Sequence, residues 1–201
     1  MYIVCSDLEG VFVPEIWINV ALHTGIDKLK LTTRDISDYD VLMKGRLELL
    51  SKNGLTIQDI RKVIAGLKPL PGAGDFVDWL RSRLQLIVVS DTFIEFADPL
   101  MDQLGRPTLF CHSLTIDENG NITDYNLRQK NAKENVVKAL QKLNYKVIAI
   151  GDSYNDIPML MNADHGILYN PPQNVIDEHP DLPVITSYDK LEVFISELIR
   201  I

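Results

Sequence analysis

The stretch Tyr2-Ile3-Val4-Cys5-Ser6-Asp7-Leu8-Glu9-Gly10 decides the fold. An apolar run stops abruptly on two carboxylates and a glycine. Short β-branched runs that end on Asp or Gly read as buried parallel strands whose ends open onto loops. The same shape returns twice. Leu84 to Val89 ends at Ser90-Asp91-Thr92, and Val147 to Ile150 ends at Gly151-Asp152. Helical patterns lie between these runs. Phe76, Val77, Leu80 and Leu84 share one helix face. Asn131 followed by Glu134 reads as a capping box that opens a helix through Val136, Val137 and Leu140. A last helix from about Tyr188 carries Leu191, Phe194, Ile195 and Leu198 on one face. Strands alternating with helices predict an α/β fold, a doubly wound and mostly parallel sheet.

Two segments interrupt the alternation. Pro14 to Lys68 has no strand signal and reads as a small inserted helical bundle. Pro14 suits the first position of a helix that Gly25 ends. A second helix covers about Asp40 to Asn53, with Gly54 as its stop. A third starts at Thr56 and carries Ile60, Val63, Ile64 and Leu67 at helical spacing. The other interruption is Ser113 to Leu127, where Glu118-Asn119-Gly120-Asn121 is a hairpin signal between short apolar alternations. The expected organisation is a core of residues 1–13 and 69–201 with an insertion at 14–68. Those 55 residues hold nine Lys/Arg and seven Asp/Glu, a net +2, while the rest holds 11 against 21, a net −10.

Composition narrows the function. A chain of 201 residues with 46% hydrophobic and 24% charged residues buries a core without disulfide staples. The net charge of −8 argues against nucleic-acid and anionic-membrane partners, which need a positive face. Cys5 and Cys111 read as free thiols, no apolar run reaches membrane-spanning length, and Met1-Tyr2-Ile3-Val4 has no basic start. A reducing cytoplasm is the expected home.

Ligands of a doubly wound sheet bind beyond the carboxyl ends of its strands. Those ends present Asp7 and Glu9, then Ser90, then Asp152 with Asn155 and Asp156. Lys133 falls in the first turn of the helix before the last strand. Taken singly, Lys133 is a solvated helix residue and each Asp a turn residue. Together they form a hard oxygen-ligand metal site beside a phosphate clamp, and carboxylates without His or Cys favour Mg²⁺ over Zn²⁺.

Their order, Asp7-Leu8-Glu9-Gly10, Ser90, Lys133 and Gly151-Asp152-Ser153-Tyr154-Asn155-Asp156, resembles the haloacid-dehalogenase-like superfamily of aspartate-nucleophile phosphotransferases. The helical insertion just after the first motif is similar to the cap of its phosphoserine phosphatase branch. Glu9 in place of the usual Asp, and Ser90-Asp91-Thr92-Phe93 in place of Ser-Gly-Gly-Phe, resemble the bacterial members that join phosphoserine phosphatase and homoserine phosphotransferase activities. The resemblance implies O-phospho-L-serine and L-homoserine as substrates and Mg²⁺ as cofactor. It implies Asp7 as nucleophile and Glu9 as general acid and base. It implies metal ligation by Asp7, Asp152 and the Glu9 main-chain carbonyl. Ser90, the Asp91 N–H and Lys133 would hold the phosphate, Asn155 would contact substrate or phosphate, and Asp156 would orient the metal shell and Lys133. Glu15 would read the substrate ammonium and Arg46 its carboxylate, with Tyr39 as a wall.

The Asp91 N–H can hold an anion only if its own carboxylate points away or pairs with a cation. His23, His112, His165 and His179 form no ligand spacing and receive no role, and Trp17 and Trp79 read as packing residues. A capped phosphatase for a sugar or nucleotide phosphate is the nearest alternative. A receiver module with a phosphorylated Asp is the more distant one, disfavoured by Glu9 and by the insertion.

Overall fold

In the computed structural model, which describes residues 1–32, 35, 36 and 38–199, β1 (Tyr2–Ser6) is the middle strand of a seven-stranded sheet. The others are β2 (Gln85–Phe93), β3 (Thr108–Ile116), β4 (Ile122–Asn126), β5 (Lys146–Gly151), β6 (His165–Tyr169) and β7 (Val184–Ile185). Their order is β4-β3-β2-β1-β5-β6-β7, and all pairs are parallel except β3 with β4. Strands 2 to 4 lie on one side of β1 and strands 5 to 7 on the other. The direction of winding therefore reverses between β1 and β5, where doubly wound sheets open a crevice.

Side chains alternate across the sheet, as a period of two requires. Val4, Val88, Ile148 and Ile150 face a core shared with α4 (Ala73–Arg81), α5 (Ile94–Gln103) and α9 (Tyr188–Ile199). Ile3, Cys5, Val147 and Ala149 face a second core built with α6 (Ala132–Lys142), α7 (Ile157–Asn162) and α8 (Gln173–Glu178). Cys5 and Cys111 are free thiols, and burial pushes them up to about 12 and about 11.

Residues 14–68 contribute α1 (Ile16–Thr24), a short 3-10 turn (Asp27–Lys30), α2 (Tyr39–Lys52) and α3 (Ile57–Ala65). Their apolar faces, including Val20, Met43, Leu50 and Ile60, are continuous with the first core. Gly25 ends α1 in the left-handed region (φ 72°) and donates to the Ala21 carbonyl. Asp38 caps α2, and Thr56 with Asp59 forms a capping box on α3. The expected hairpin is β3–β4, and its tip carbonyl at Gly120 accepts the Ile57 N–H at 2.9 Å. Pro99 inside α5 has no N–H for the carbonyl four residues back; that carbonyl, Glu95 O, accepts Arg61 Nε of α3 at 3.0 Å. The helical insertion is thus anchored to the sheet layer at both the hairpin and α5.

Several sequence expectations need correction. Helix α1 starts at Ile16, not at Pro14, because Glu15 occupies the extended N-cap position. Leu84 lies beyond α4, in the turn that leads into β2, and Leu67 lies beyond the end of α3. Asn131 does not form a capping box with Glu134. Its backbone is left-handed (φ 49°), which turns its side chain away from the helix N–H groups, and Glu134 pairs with Lys138. β2 does not stop at Val89 but runs to Phe93, with an irregular register between Val89 and Phe93. That irregularity holds Ser90 and Asp91.

Candidate active site

The crevice over the β1 and β5 ends is a cleft of about 250 Å³ lined by Asp7, Glu9, Glu15, Arg46, Ser90, Asp91 and Asn155 among others. Asp7 is the first residue past β1. Its N–H donates to the Ile150 carbonyl at 2.9 Å, which fixes the backbone against β5. Its Oδ1 accepts the Leu8 N–H at 2.8 Å and its Oδ2 lies 3.0 Å from Lys133 Nζ. Burial first, and then repulsion from Asp156, pushes the Asp7 carboxyl well above the ordinary carboxylate range.

Lys133 is only 4% exposed, so it is not the solvated helix residue that its position alone implies. Its ammonium lies 2.7 Å from Asp156 Oδ1, 3.0 Å from Asp7 Oδ2 and 3.8 Å from Asp91 Oδ2. Burial alone would lower its pKa, but the three carboxylates outweigh burial and raise it. Asp156 is fully buried and its second oxygen accepts the N–H groups of Asp152 at 3.0 Å and Ser153 at 3.1 Å. It therefore ties the β5 loop to Lys133. Gly151 permits this approach, since a Cβ there would overlap the Asp156 side chain.

Asp7, Asp152 and Asp156 offer carboxylate oxygens within 4.8 Å of one another. Burial and the Asp156 charge raise Asp152 to about 7. Several carboxylates crowded out of water beside a single ammonium form an acidic excess that a hard divalent cation would neutralise. Gly10 (φ 76°) borders this cluster, and a Cβ there would overlap the Asp152 carboxylate. The donor set consists of oxygens alone, which fits Mg²⁺ better than Zn²⁺.

Glu9 reaches across to α1, where its Oε2 accepts the Ile16 N–H at 2.8 Å. Burial and the adjacent Glu15 raise its pKa to about 8, against the Ile16 N–H and the Thr92 hydroxyl, which favour the ionised form. A carboxyl with that pKa can hold a proton near neutral pH and release it. Glu15 is exposed at the N-terminus of α1 and faces the cleft. Arg46 is 8% exposed, stacked over Trp17 with its guanidinium carbon 4.6 Å from the ring centroid. Its Nη2 donates to the Leu31 carbonyl at 2.7 Å, while its buried Nε meets no acceptor among the described residues. Burial lowers its pKa to about 10. Trp17 is therefore more than packing: it is the platform for a cationic wall.

Ser90 is buried at the β2 irregularity, and its Oγ accepts the Thr92 N–H at 3.3 Å. The Asp91 carboxylate points away from it, toward Asn155 Nδ2 at 3.0 Å, His112 Nε2 at 3.6 Å and Lys133. Burial pushes the Asp91 carboxyl up, but Lys133, His112 and Asn155 outweigh burial and hold it well below the usual range. Asn155 also accepts from Ser153 Oγ at 2.6 Å, so its amide is held from both sides. Tyr39 lines the cleft and its hydroxyl donates to the Asp91 carbonyl at 3.3 Å. Asp7, Glu9, Glu15, Tyr39, Arg46, Ser90, Asp91 and Asn155 thus line one cleft, while Lys133, Asp152 and Asp156 cluster with Asp7. His112, a residue outside every motif, joins them through Asp91.

Residues 7–164 match the family model described as haloacid dehalogenase-like hydrolase. The chain is 58% identical over 192 residues to the phosphoserine phosphatase ThrH of Pseudomonas aeruginosa, covering 96% of this chain and 94% of that protein. It is 56% identical over 190 residues to a phosphoserine phosphatase of Pseudomonas syringae pv. tomato, covering 94% of this chain and 80% of the relative. Among solved structures, an apo phosphoserine phosphatase superposes with a TM-score of 0.77 at 22% identity, covering 96% of this chain and 97% of that one. A substrate-bound phosphoserine phosphatase complex superposes with a TM-score of 0.75 at 22% identity, covering 96% of each chain. At that identity the structural likeness is one of fold.

Proposed function

The chain belongs to the haloacid dehalogenase-like hydrolase family, and from that premise we propose that it is a Mg²⁺-dependent phosphoserine phosphatase that also passes the phosphoryl group to homoserine. We assign residues 1–13 and 69–201 as the catalytic core and 14–68 as a cap that selects the substrate. The reading is of a cytoplasmic enzyme; among the described residues no helix is long and apolar enough to cross a membrane.

One observation carries the proposal: a buried carboxylate, Asp7, sits 3.0 Å from a buried ammonium, and the cleft that Asp7 lines is also lined by Glu15 and the buried Arg46. The first pair suits a phosphate and the second an α-amino acid. The high identity to the two Pseudomonas phosphoserine phosphatases supports the same substrate.

The substrate phosphate would lie between Ser90, the Asp91 N–H and Lys133, its carboxylate on Arg46 and its ammonium on Glu15. Asp7 Oδ attacks phosphorus and forms an aspartyl-phosphate as the serine oxygen departs. Glu9 gives its proton to that oxygen, then takes a proton from the incoming water or homoserine hydroxyl. The second attack frees Asp7 and yields phosphate or O-phosphohomoserine. Lys133 neutralises charge on the transferring group, and Asp156 keeps Lys133 in place. Asp7, Asp152 and the Glu9 main-chain carbonyl would hold Mg²⁺, which supplies charge neutralisation between the attacking carboxylate and the phosphate dianion.

The test is phosphate release from O-phosphoserine with Mg²⁺, with and without homoserine, while O-phosphohomoserine is assayed. Selective turnover of phosphoserine, with O-phosphohomoserine formed when homoserine is present, is the expected result. Equal turnover of sugar, nucleotide and phosphoserine esters would replace it with a less selective capped phosphatase.

A further inference from the structure

We propose that His112 is a positioning residue for phosphate binding, holding the Asp91 carboxylate outside the anion site so that the Asp91 main-chain N–H faces the phosphate. The inference rests on the phosphatase reading above and extends it to a residue outside every motif of the chain.

The argument starts from a conflict. Asp91 stands beside Ser90 at the irregular end of β2, where the backbone is to hold a dianion. A carboxylate there repels phosphate unless it is turned aside and kept there. In the structure it is turned aside. Its Oδ2 accepts from Asn155 Nδ2 at 3.0 Å, and its Oδ1 lies 3.6 Å from His112 Nε2. Lys133 sits 3.8 Å from Oδ2, but that ammonium already serves Asp7 and Asp156 at shorter range. Lys133 also has to serve the phosphate, so it cannot be spent on Asp91 during turnover. Asn155 holds Oδ2, and His112 is the partner that faces Oδ1.

His112 is built for one orientation. It is 5% exposed on β3, paired in register with Phe93 of β2. The Arg128 N–H donates to its Nδ1 at 3.1 Å. That bond commits Nδ1 as an acceptor and leaves the ring proton on Nε2, the nitrogen that faces Asp91. The hairpin β3–β4 delivers both ends of this arrangement, since Arg128 lies two residues past the end of its second strand. A buried imidazole with its tautomer fixed from behind, aimed at a carboxylate beside an anion site, orients that carboxylate. It touches no reacting atom.

The experiment uses the full chain with Mg²⁺. It reads the inhibition constant of inorganic phosphate against p-nitrophenyl phosphate turnover, and phosphate binding by calorimetry. His112→Leu should weaken phosphate about tenfold or more and raise KM more than it lowers kcat. His112→Gln places an amide donor near the Nε2 position and should recover most of the loss. His112→Asn reaches only the Nδ1 position and should not. In an Asp91→Gly background, where no carboxylate needs holding, His112→Leu should add no further loss of phosphate affinity. An equal loss in that background overturns the proposal and makes His112 a strand-packing residue. So does wild-type phosphate affinity in His112→Leu. If His112→Leu folds poorly, the contrast between Gln and Asn carries the test, and equal phosphate affinity in those two overturns it. Absent turnover of every phosphomonoester by the wild type would defeat the phosphatase reading, while calorimetric phosphate binding would still decide the role of His112.

Discussion

The Glu9 carboxylate accepts the Ile16 N–H at 2.8 Å, so the side chain two residues past Asp7 closes the first turn of α1 in place of the helix's own N-cap residue, Glu15. The cap and the proposed proton transfer fall on one group, and they separate by substitution. Glu9→Gln keeps an acceptor for Ile16 but has no acid proton, so turnover should fall 10²- to 10⁴-fold, by about the worth of one general acid, with an unchanged Tm. Glu9→Ala should lose the same activity and also about 1 kcal/mol of stability with the cap. Thermal melts beside turnover decide it, and full activity in Glu9→Gln would remove Glu9 from proton transfer.

Asp7→Asn removes the charge proposed to attack phosphorus. Turnover should drop by orders of magnitude. The metal-free protein should melt no lower than the parent, because Asn relieves a buried carboxylate repelled by Asp156 and Asp152. Near-normal phosphoserine hydrolysis would exclude an aspartyl-phosphate.

Lys133→Met should fail in both activity and stability. The sequence alone suggests loss of activity only, as befits a surface lysine. With the ammonium buried among Asp7, Asp91 and Asp156, its removal leaves buried carboxylates without their cation. Breaking a buried ion pair from one side costs about 3–5 kcal/mol. Chemical denaturation at pH 7 measures it, and a loss below about 1 kcal/mol would mean the cluster is well hydrated.

Metal binding should couple to pH with a defined sign. Asp152 is raised to about 7, and Asp7 is raised as well. A carboxyl raised in the folded state favours folding fully below its unfolded value near ~4, and that contribution fades as pH climbs through the folded value. For Asp152 the metal-free fold therefore weakens from pH ~4 to about 7, and Asp7 acts in the same direction. Mg²⁺ needs the ionised carboxylates, so its stabilisation should be larger at pH 8 than at pH 5. Melting curves with Mg²⁺ and with EDTA at both pH values measure it; an equal shift at both would exclude these carboxylates as ligands.

Arg46→Ala and Glu15→Gln should cut kcat/KM for phosphoserine by about 1.5–3 kcal/mol each, the worth of a charge-assisted contact. p-Nitrophenyl phosphate, with neither ammonium nor carboxylate, should suffer much less. Equal losses on both substrates would assign the pair to the fold.

The motif residues Asp7, Ser90 and Asp152 were legible because each stands where an apolar run of the parallel sheet stops. Asp7, Ser90 and Asp152 needed only the three apolar runs to be placed together. What lay outside the sequence is what packing decides. The burial of Lys133 depends on Asp156 and Asp7 converging from two loops. The role of Trp17 depends on the course of α2 beneath Arg46. The capping box at Asn131 failed because a left-handed backbone leaves no trace in side-chain spacing. β6 and β7 carry no run long enough to stand out, and α5 hides behind Pro99. His112 is one of four scattered histidines until β3 sets it against Asp91.

β1 has a further consequence, for how the chain reaches this structure. Ile3 pairs with Gln85 on one side and Val147 on the other. Both neighbours are distant in sequence, and parallel strands cannot be closed by a hairpin. During synthesis β1 is made long before β5, and its apolar edge waits unpaired while the whole helical insertion, β2 and the hairpin emerge. Such non-local pairing is slow and leaves a sticky edge exposed in the interim. Assembly of the proposed catalytic site, which needs Asp7 beside Asp152, therefore waits for β5, and truncated or stalled chains lacking β5 should aggregate more readily than the full chain.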